Sequence, residues 1–412
     1  MKVWIFQTGE PLQIDAGALR PMRAMNLSNA LIEQGHEVVL WSSDFDHFSK
    51  THRFKKEKNI QYSKNLNIKL IPSRGYKSNI GISRLIDHID LALNLKKMLK
   101  KQPPPDVAFI GYPPIEATWV IASWLKKQNI PFLIDVKDAW PEIFIKAFPL
   151  TFQKIARIAF IPLFLIMRKT FKMANGISSP TQDFLNWSLE NINRNQNTYD
   201  RITRITLVET EIYKDSLTKA EIWLDQLGIK IDGTFRICFV GTLNYSYNFA
   251  PVIRAARLLP VEFVIAGDGP LYKNLKKDTE GLLNFKLLGQ IDSVQANLLY
   301  ARSNLVIAPY RDSFDFQLNI TNKFYDAMAK GKPVITSLSG AIAKLFDQFE
   351  IGFKYDESRV ENLMEILTHL VADTERLSKA GNNARNLFVK EFSGEQIYSE
   401  LVSDLIKLAK HD

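Results

Sequence analysis

Short apolar runs and amphipathic stretches alternate along this 412-residue chain. Apolar runs of strand length lie at 3–6, 37–41, 68–71, 107–110 and 131–135. Between them, 20–34, 83–101 and 115–128 carry apolar residues at helical spacing. In the first helix these positions are Met25, Leu27, Ala30 and Leu31. The alternation restarts near Phe235, with strands predicted at 237–240, 262–266, 284–288 and 305–308. Helices at 250–259, 271–277 and 293–301 separate them. Strands alternating with helices predict a parallel sheet covered on both faces, and two such runs predict an α/β protein of two Rossmann-like domains. The stretch 191–234 is polar and irregular by comparison, which places the boundary near residue 210, between domains 1–210 and 211–392. A closing helix over 393–410 opens on a capping-box pair, Ser393 with Gln396.

The most informative stretch is 322–336, NKFYDAMAKGKPVIT. It predicts a short helix, a stop at Gly331 and a strand from Pro333. Phe324, Ala327 and Met328 fall at i, i+3 and i+4, so one face packs inward. Lys323 and Asp326 share another face near the helix start, which Thr321 or Asn322 can cap. A helix N-terminus with a lysine beside it favours a pyrophosphate, because free N–H groups and the helix dipole attract anions. A carboxylate one turn on can accept hydrogen bonds from ribose hydroxyls. An ordinary surface Lys–Asp pair has the same spelling.

The words around this pair, taken in order, resemble the bacterial GT-B glycosyltransferases of family four. The family's donor motif, x-N-K-x-x-E-x-M-A-x-G-x-P-V, is met by Asn322, Lys323, Asp326, Met328, Ala329, Gly331, Pro333 and Val334. FVGTL (239–243), VIAGDGP (264–270), LLGQI (287–291) and QGHEV (34–38) resemble further motifs in the expected order. IDVKDAWPE (134–142) resembles a D-x-R-D-x-W-P-E segment of a branch building O-antigen and capsule sugars, which includes N-acetylfucosaminyltransferases. The resemblance spans most of the chain. It implies a GT-B fold, with two domains facing across a cleft, an acceptor domain at 1–210 and a donor domain at 211–392. It also implies a C-terminal helix, 393–412, crossing back to the first domain.

The resemblance assigns donor contacts to Gly17, Gly241, Thr242, Gly267, Gly269, Ile291, Arg311, Asn322, Lys323 and Asp326. Gly17 lies in the first loop, GEPLQIDAGALRP, where Arg20 and Arg23 add positive charge. Lys323, Asp138 and Lys137 are the implied catalytic residues. The match has gaps. Lys137 stands where much of the family has His, as Arg does in the O-antigen branch. Thr242 stands where an Arg often follows the first glycine of the donor domain. Leu318 occupies the position of the usual second carboxylate, with Asp315 and Gln317 out of register. Lys323, with Arg311, then carries more of the phosphate charge, and a cation beside the leaving diphosphate stabilises the charge that builds as the C1–O bond breaks.

Composition narrows the class. The net charge is +9, yet residues 1–200 hold 27 Lys and Arg against 17 Asp and Glu, a surplus of ten, and the remainder is slightly acidic. The basic half points to an anionic membrane surface or a phosphorylated acceptor, since no nucleic-acid-binding signature is present. Phe152 to Phe171 holds an apolar run at 158–167, broken by Pro162 and flanked by Lys154, Arg157, Arg168, Lys169 and Lys172. It reads as a basic interfacial helix or as a buried inter-domain helix. Arg168, Lys169 and Lys172 are its candidate membrane or acceptor contacts.

Cys238 is the single cysteine and sits in an apolar run, so it reads as a structural thiol. No Cys/His metal spacing occurs. Asp44-Phe45-Asp46 spells D-x-D, a metal motif of the other glycosyltransferase fold, and is uninformative in a Rossmann-like loop. His36 reads as structural. The chain starts directly in a strand, without a signal peptide or membrane span.

The expected activity is transfer of a hexose or N-acetylhexosamine from a UDP- or GDP-type sugar to a lipid-linked or glycan acceptor in bacterial surface polysaccharide synthesis. The resemblance implies retention of configuration. No cofactor or metal is expected, and nucleic acid is not an expected partner. The expected location is cytoplasmic, peripheral at the inner membrane face. The rivals are a nucleotide-sugar 2-epimerase on the same fold and a catalytically degenerate glycan-binding protein.

Overall fold

The computed structural model describes residues 1–16, 20–78, 81–146, 148–209, 213–359 and 361–410. Two compact units result. The first comprises Met1–Ala16, Pro21–Ile205 and Gly394–Asp412, and the second Gly17–Arg20 and Thr206–Ser393.

The strands of the first unit are β1 (Lys2–Phe6), β2 (Glu37–Ser43), β3 (Phe45–Asp46), β4 (Thr51–His52), β5 (Lys58–Ser63), β6 (Leu66–Ile71), β7 (Val107–Tyr112), β8 (Phe132–Val136), β9 (Gly176–Ser179) and β10 (Arg201–Ile202). Their main sheet runs β10-β9-β8-β7-β1-β2-β6-β5, and β3 and β4 form a separate hairpin. All neighbours in the main sheet are parallel except β5 on β6. Strands β7 and β8 are buried along their whole length, which explains apolar runs without alternation. Edge strand β5, KNIQYS, is mostly exposed, so its sequence shows no core signature. Trp4 of β1 stacks on Trp124 of helix Ile115–Lys127 at 5.1 Å and tilts against Trp41 of β2 at 5.1 Å, joining sheet to helix.

The first helix starts at Arg23 rather than at residue 20. Pro21 disfavours helical backbone in the residue before it, so Arg20 stays outside the helix. Arg23, expected to add charge to the first loop, is instead in the core. Its guanidinium meets Asp135 of β8 and the Thr203 carbonyl, and Asp135 Oδ1 also accepts from Ser178 Oγ at 3.0 Å. The chain's last helix, Gly394–Lys410, buries Ile397, Leu401, Val402, Leu405 and Leu408 and packs on helix Arg23–Glu33. An Arg201–Asp404 ion pair ties it to β10. Its 3.6-residue apolar stripe requires a partner, and the first unit supplies one.

The second unit holds β11 (Arg236–Val240), β12 (Glu262–Ala266), β13 (Phe285–Gly289), β14 (Leu305–Ala308), β15 (Val334–Thr336) and β16 (Gly352–Lys354), all parallel in the order β13-β12-β11-β14-β15-β16. Cys238 is buried in β11, and burial pushes its thiol up to about 11, an inert state. The region 191–234 is less irregular than its composition suggests. Helix Lys214–Gln226 lies within it, burying only Ala220 and Leu224 against helix Ser293–Ala301. Two apolar positions four apart are enough to dock a surface helix but too few to register as a periodic pattern.

In each sheet the strand order reverses beside the first strand, between β1 and β7 and between β11 and β14. Such switch points open a crevice at the carboxyl ends of the strands.

Removing one member of a buried ion pair leaves the other charge uncompensated, at about 3–5 kcal/mol. Asp135→Ala is therefore expected to destabilise the first unit by that amount. Urea denaturation followed by tryptophan fluorescence, to which Trp4, Trp41 and Trp124 of the first unit contribute, checks it; an unshifted midpoint contradicts it.

Candidate functional site

At the carboxyl ends of β11, β12 and β13 the loops stack backbone on backbone. Gly241 N–H donates to the Ala266 carbonyl at 2.9 Å, and Gly267 N–H to that of Gly289 at 2.6 Å. Leu243 N–H reaches the Asp268 carbonyl at 2.9 Å, and Leu271 N–H that of Leu243 at 2.9 Å. Gly241 and Gly267 have φ of 149° and 137°. A Cβ on Gly267 would strike the Gly241 carbonyl, and one on Gly241 would strike Lys323 Nζ. The glycines of FVGTL and VIAGDGP therefore let three loops and one lysine share a space with no room for side chains.

Helix Asn322–Ala329 buries Phe324, Ala327 and Met328, the apolar face the sequence predicts, and Tyr325 and Ala329 as well. Thr321 occupies the N-cap position in extended conformation but makes no side-chain cap. Its hydroxyl pairs with Tyr310 Oη at 2.7 Å instead. Lys323 Nζ donates to the Val240 carbonyl at 2.6 Å, beside the switch point. It lies 4.7 Å from the Phe239 ring centre and 5.5 Å from that of Tyr247. Burial lowers the Lys323 pKa to about 8; Arg20 adds to that, and Asp326 acts in the opposite sense. Tyr247 donates to Tyr310 Oη at 3.1 Å, and burial pushes Tyr310 up to about 12. The lysine thus sits in an aromatic box with one carbonyl partner.

Asp326 faces Arg20. Oδ1 accepts from Arg20 Nε at 3.1 Å and from Nη2 at 2.7 Å, both side chains being half-buried. Asn322 Oδ1 is buried without a hydrogen-bond partner. Among the other assigned donor contacts, Gly269 has φ 150° and packs its Cα against the Leu243 carbonyl. Thr242 is exposed on the loop after β11, and Ile291 is half-buried after β13. Arg311 is exposed, its N–H donating to the Ser246 carbonyl at 2.8 Å. Gly17 lies outside the described residues. Gly241, Thr242, Gly267, Gly269, Lys323 and Asp326 thus come from separated stretches into one unit, with the first four on adjoining loops.

Lys137 and Asp138 belong to the first unit, after β8. Lys137 Nζ pairs with Glu10 Oε1, and Glu10 Oε2 accepts from Ala24 N–H at 2.9 Å. Glu10 so ties Lys137 to the start of helix Arg23–Glu33, where the dipole favours an acid. Burial raises the Asp138 pKa, against the pull of Lys137 and Arg84. The D-x-D residues organise loops. Asp44 accepts from Phe54 and Lys55 N–H, both at 2.8 Å, and Asp46 from Phe48 and Ser49 N–H, both at 3.1 Å. Among the described residues, no group of three or more His, Cys, Asp or Glu is placed to hold a metal ion.

The segment 152–172 forms two helices, Leu150–Ala159 and Ile161–Met173, bent by 63°. The second packs Phe164, Met167 and Phe171 inward, with Arg168, Lys169 and Lys172 exposed. The first leaves Leu150, Phe152, Ile155 and Ile158 exposed, Leu150 at 85%. No single helix among the described residues is long and apolar enough to cross a membrane; this bent pair meets that test only together.

Sequence reasoning missed Glu10, Tyr247 and Tyr310, and gave Arg20 no partner. Glu10 stands in a quoted loop, but its partners lie 14 and 127 positions away. The tyrosines carry no spacing signal, since their box closes only when β11 and β14 pair.

Residues 225–387, inside the second unit, match the family described as Glycosyl transferases group 1. No curated protein matches the chain significantly by sequence. Solved structures match its full length. Sucrose-phosphate synthase from Thermosynechococcus elongatus has a TM-score of 0.72 at 15% identity, with all of both chains covered. Anabaena HepE in complex with UDP has a TM-score of 0.65 at 15% identity, covering 98% of this chain and 99% of that one. An E. coli structure described as trehalose-6-phosphate bound with UDP-2-fluoro glucose has 0.67 at 13% identity, covering 98% and 99%. Two Rossmann-like units with parallel sheets, the closing helix returned to the first, are the GT-B fold.

Proposed function

We propose that this protein is a glycosyltransferase that takes a sugar from a UDP-type nucleotide sugar and passes it, with retention, to a lipid-linked acceptor in bacterial surface polysaccharide synthesis. The observation that carries the reading is Lys323. It is a half-buried cation held at the switch point of the second sheet, beside a helix start that has no side-chain cap. The family match over 225–387, and the UDP and UDP-2-fluoro glucose named for the two solved structures, support a nucleotide-sugar donor.

In this reading the donor diphosphate lies against Lys323 and the Gly241–Thr242 loop. As the bond between sugar C1 and the diphosphate oxygen breaks, the ammonium balances the charge gathering on the leaving group. Asp326 offers its remaining oxygen to the ribose hydroxyls while Arg20 holds Oδ1. Gly17, Gly267, Gly269, Ile291, Arg311 and Asn322 complete the donor contacts. Lys137 and Asp138 are the first unit's contacts with the reacting groups, and Glu10 positions Lys137. The W-P-E segment supports a place in the O-antigen and capsule branch. The exposed apolar side chains of helix Leu150–Ala159, next to Arg168, Lys169 and Lys172, support a peripheral position on an anionic membrane.

The decisive measurement is nucleotide release. UDP set free only when acceptor is supplied is expected of the transferase; an epimerase or a binding protein releases none in an acceptor-dependent manner.

Lys323→Ala should weaken donor binding by about tenfold or more in a folded protein, because one charge-assisted hydrogen bond contributes about 1.5–3 kcal/mol. The wild-type affinity should itself be pH-dependent. Lys323 is charged below about 8, so donor binding is full there and falls as pH rises through that value. Calorimetric titration of UDP between pH 6 and 9.5 reads both effects; a flat profile removes Lys323 from the diphosphate.

Asp326→Asn should weaken UDP and UDP-sugar binding alike, because the ribose is common to both. Loss confined to acceptor affinity would reassign this carboxylate.

Exposed basic residues near a membrane contribute about 1 kcal/mol each toward anionic lipid. Binding to anionic vesicles is expected to weaken with salt and when Arg168, Lys169 and Lys172 are changed together to Glu. Transfer to a soluble acceptor analogue should persist in that variant. Wild-type indifference to anionic vesicles at low salt would contradict membrane docking.

A further inference from the structure

Three helices cover one face of the first unit's main sheet, and their exposed side chains follow one pattern. Helix Ile115–Lys127 packs between helices Ile82–Leu99 and Ile161–Met173. Each of the three crosses between parallel strands: from β6 to β7, from β7 to β8 or from β8 to β9. Such a crossover starts at the carboxyl end of the sheet and finishes at the amino end.

From the carboxyl end, helix Ile82–Leu99 shows Ile82, Ile86, Ile89 and Leu93 to solvent, and then Lys96 and Lys97. Helix Ile115–Lys127 shows Trp119, then Lys126 and Lys127. Helix Ile161–Met173 shows Ile161 and Leu165, then Arg168, Lys169 and Lys172. The loop over 44–57 leaves β2 at the same edge and exposes Phe48 and Phe54. Cations in a last turn are favoured by the helix dipole, so the lysines alone specify no partner. Large apolar side chains at helix starts have no such cause, and Ile82 at 77% exposure packs on little of the fold. The acids of the three helices are Asp87, Asp90 and Glu116, the first buried and the others half-buried. Asp87 accepts from Gly75 N–H at 2.6 Å, Asp90 lies 4.0 Å from Arg74, and Glu116 lies 3.9 Å from His88. The exposed charges of this layer are therefore all positive, and they stand behind an apolar edge.

We propose that the first unit docks edge-on to an anionic bilayer, with the carboxyl end of its sheet and the starts of these three helices at the lipid. At about 1.5 Å of rise per residue, Lys126 stands about 10 Å behind Trp119, and Arg168 about 10 Å behind Ile161. Apolar side chains of an interfacial element enter the acyl boundary by about 5–10 Å, which leaves those cations at the headgroups. Tryptophan is favoured at that depth. A protein partner would need an apolar and an acidic zone at this spacing, whereas an anionic bilayer has both by construction. The proposal rests on the membrane reading above and extends it. The contact is the whole helix layer rather than the 150–172 pair, and the crevice beside β1 and β7 faces the lipid. The acceptor then enters from the bilayer rather than from solution.

The test is the depth of single labels. Cys238 is buried, so Ile86→Cys, Trp119→Cys, Lys126→Cys and Ile155→Cys in the full chain each accept one environment-sensitive dye. The vesicles are phosphatidylglycerol with phosphatidylcholine, carrying either acyl-chain bromines or headgroup nitroxides. The labels at 86 and 119 are expected to be quenched by the bromines, and the label at 126 by the nitroxides alone. Equal depth at 119 and 126 means helices lying flat and overturns the edge-on contact. Labels at 86 and 119 that stay in water while the label at 155 inserts also overturn it, yet leave the membrane reading standing. Absence of vesicle binding overturns both. Shielding of the labels at 86 and 119 that grows with protein concentration, without vesicles, assigns the face to a second copy of the chain and overturns the lipid. Lys96→Glu with Lys127→Glu should weaken vesicle binding at least about tenfold and leave UDP binding unchanged; undiminished vesicle binding removes the cations from the headgroups and overturns the orientation.

Discussion

The chemistry of the second unit depends on one close approach. Lys323 reaches the carbonyl that ends β11 through space that a side chain at residue 241 would fill. The same loop accepts Gly267 against its backbone, so the order of the strands, the glycines and the placement of the ammonium are one constraint. Phe239 and Tyr247 then remove water from the lysine, and lost hydration lowers its proton affinity. An ammonium poised to lose its proton near neutral pH gains most from a diphosphate partner, because burial strengthens whatever pairing it finds.

The first unit handles its charges differently. Arg23 and Asp135 are paired and further hydrogen-bonded in the core, a costly arrangement that requires every partner to be present. Glu10 links Lys137 to a helix start with its two carboxylate oxygens. These pairs orient the loops after β1 and β8 and neutralise what they hold. Around Tyr76, Asp46 and Asp87 accept from backbone N–H groups, and Lys50 and Arg84 both bear on the ring.

The surface follows the same division. Helix Ile161–Met173 buries one face and exposes its basic side chains, whereas helix Leu150–Ala159 buries little beyond Ala156 and shows apolar residues to solvent. Helix Ile82–Leu99 does likewise over its first half and turns Lys96 and Lys97 outward over its second. Apolar exposure of this kind on helices with basic ends suits an interface more than a monomer's water-facing surface.

The sequence by itself determined the alternation of strands and helices, the two parallel sheets and the buried face of helix Asn322–Ala329. Each is a local pattern of apolar residues with a period set by backbone geometry. It also marked Lys323, Asp326 and the glycines, through motif order. Weakly patterned elements escaped it: polar edge strand β5 and helix Lys214–Gln226 with its two buried positions. Only the tertiary structure decided that Arg23 is core rather than loop charge, that Arg20 meets Asp326 and that Glu10 meets Lys137. Only it showed Thr321 turning to Tyr310 rather than capping a helix. These partners lie from 11 to 306 positions apart. No local period encodes such a pairing, because it arises only when strands distant in the chain become neighbours in a sheet.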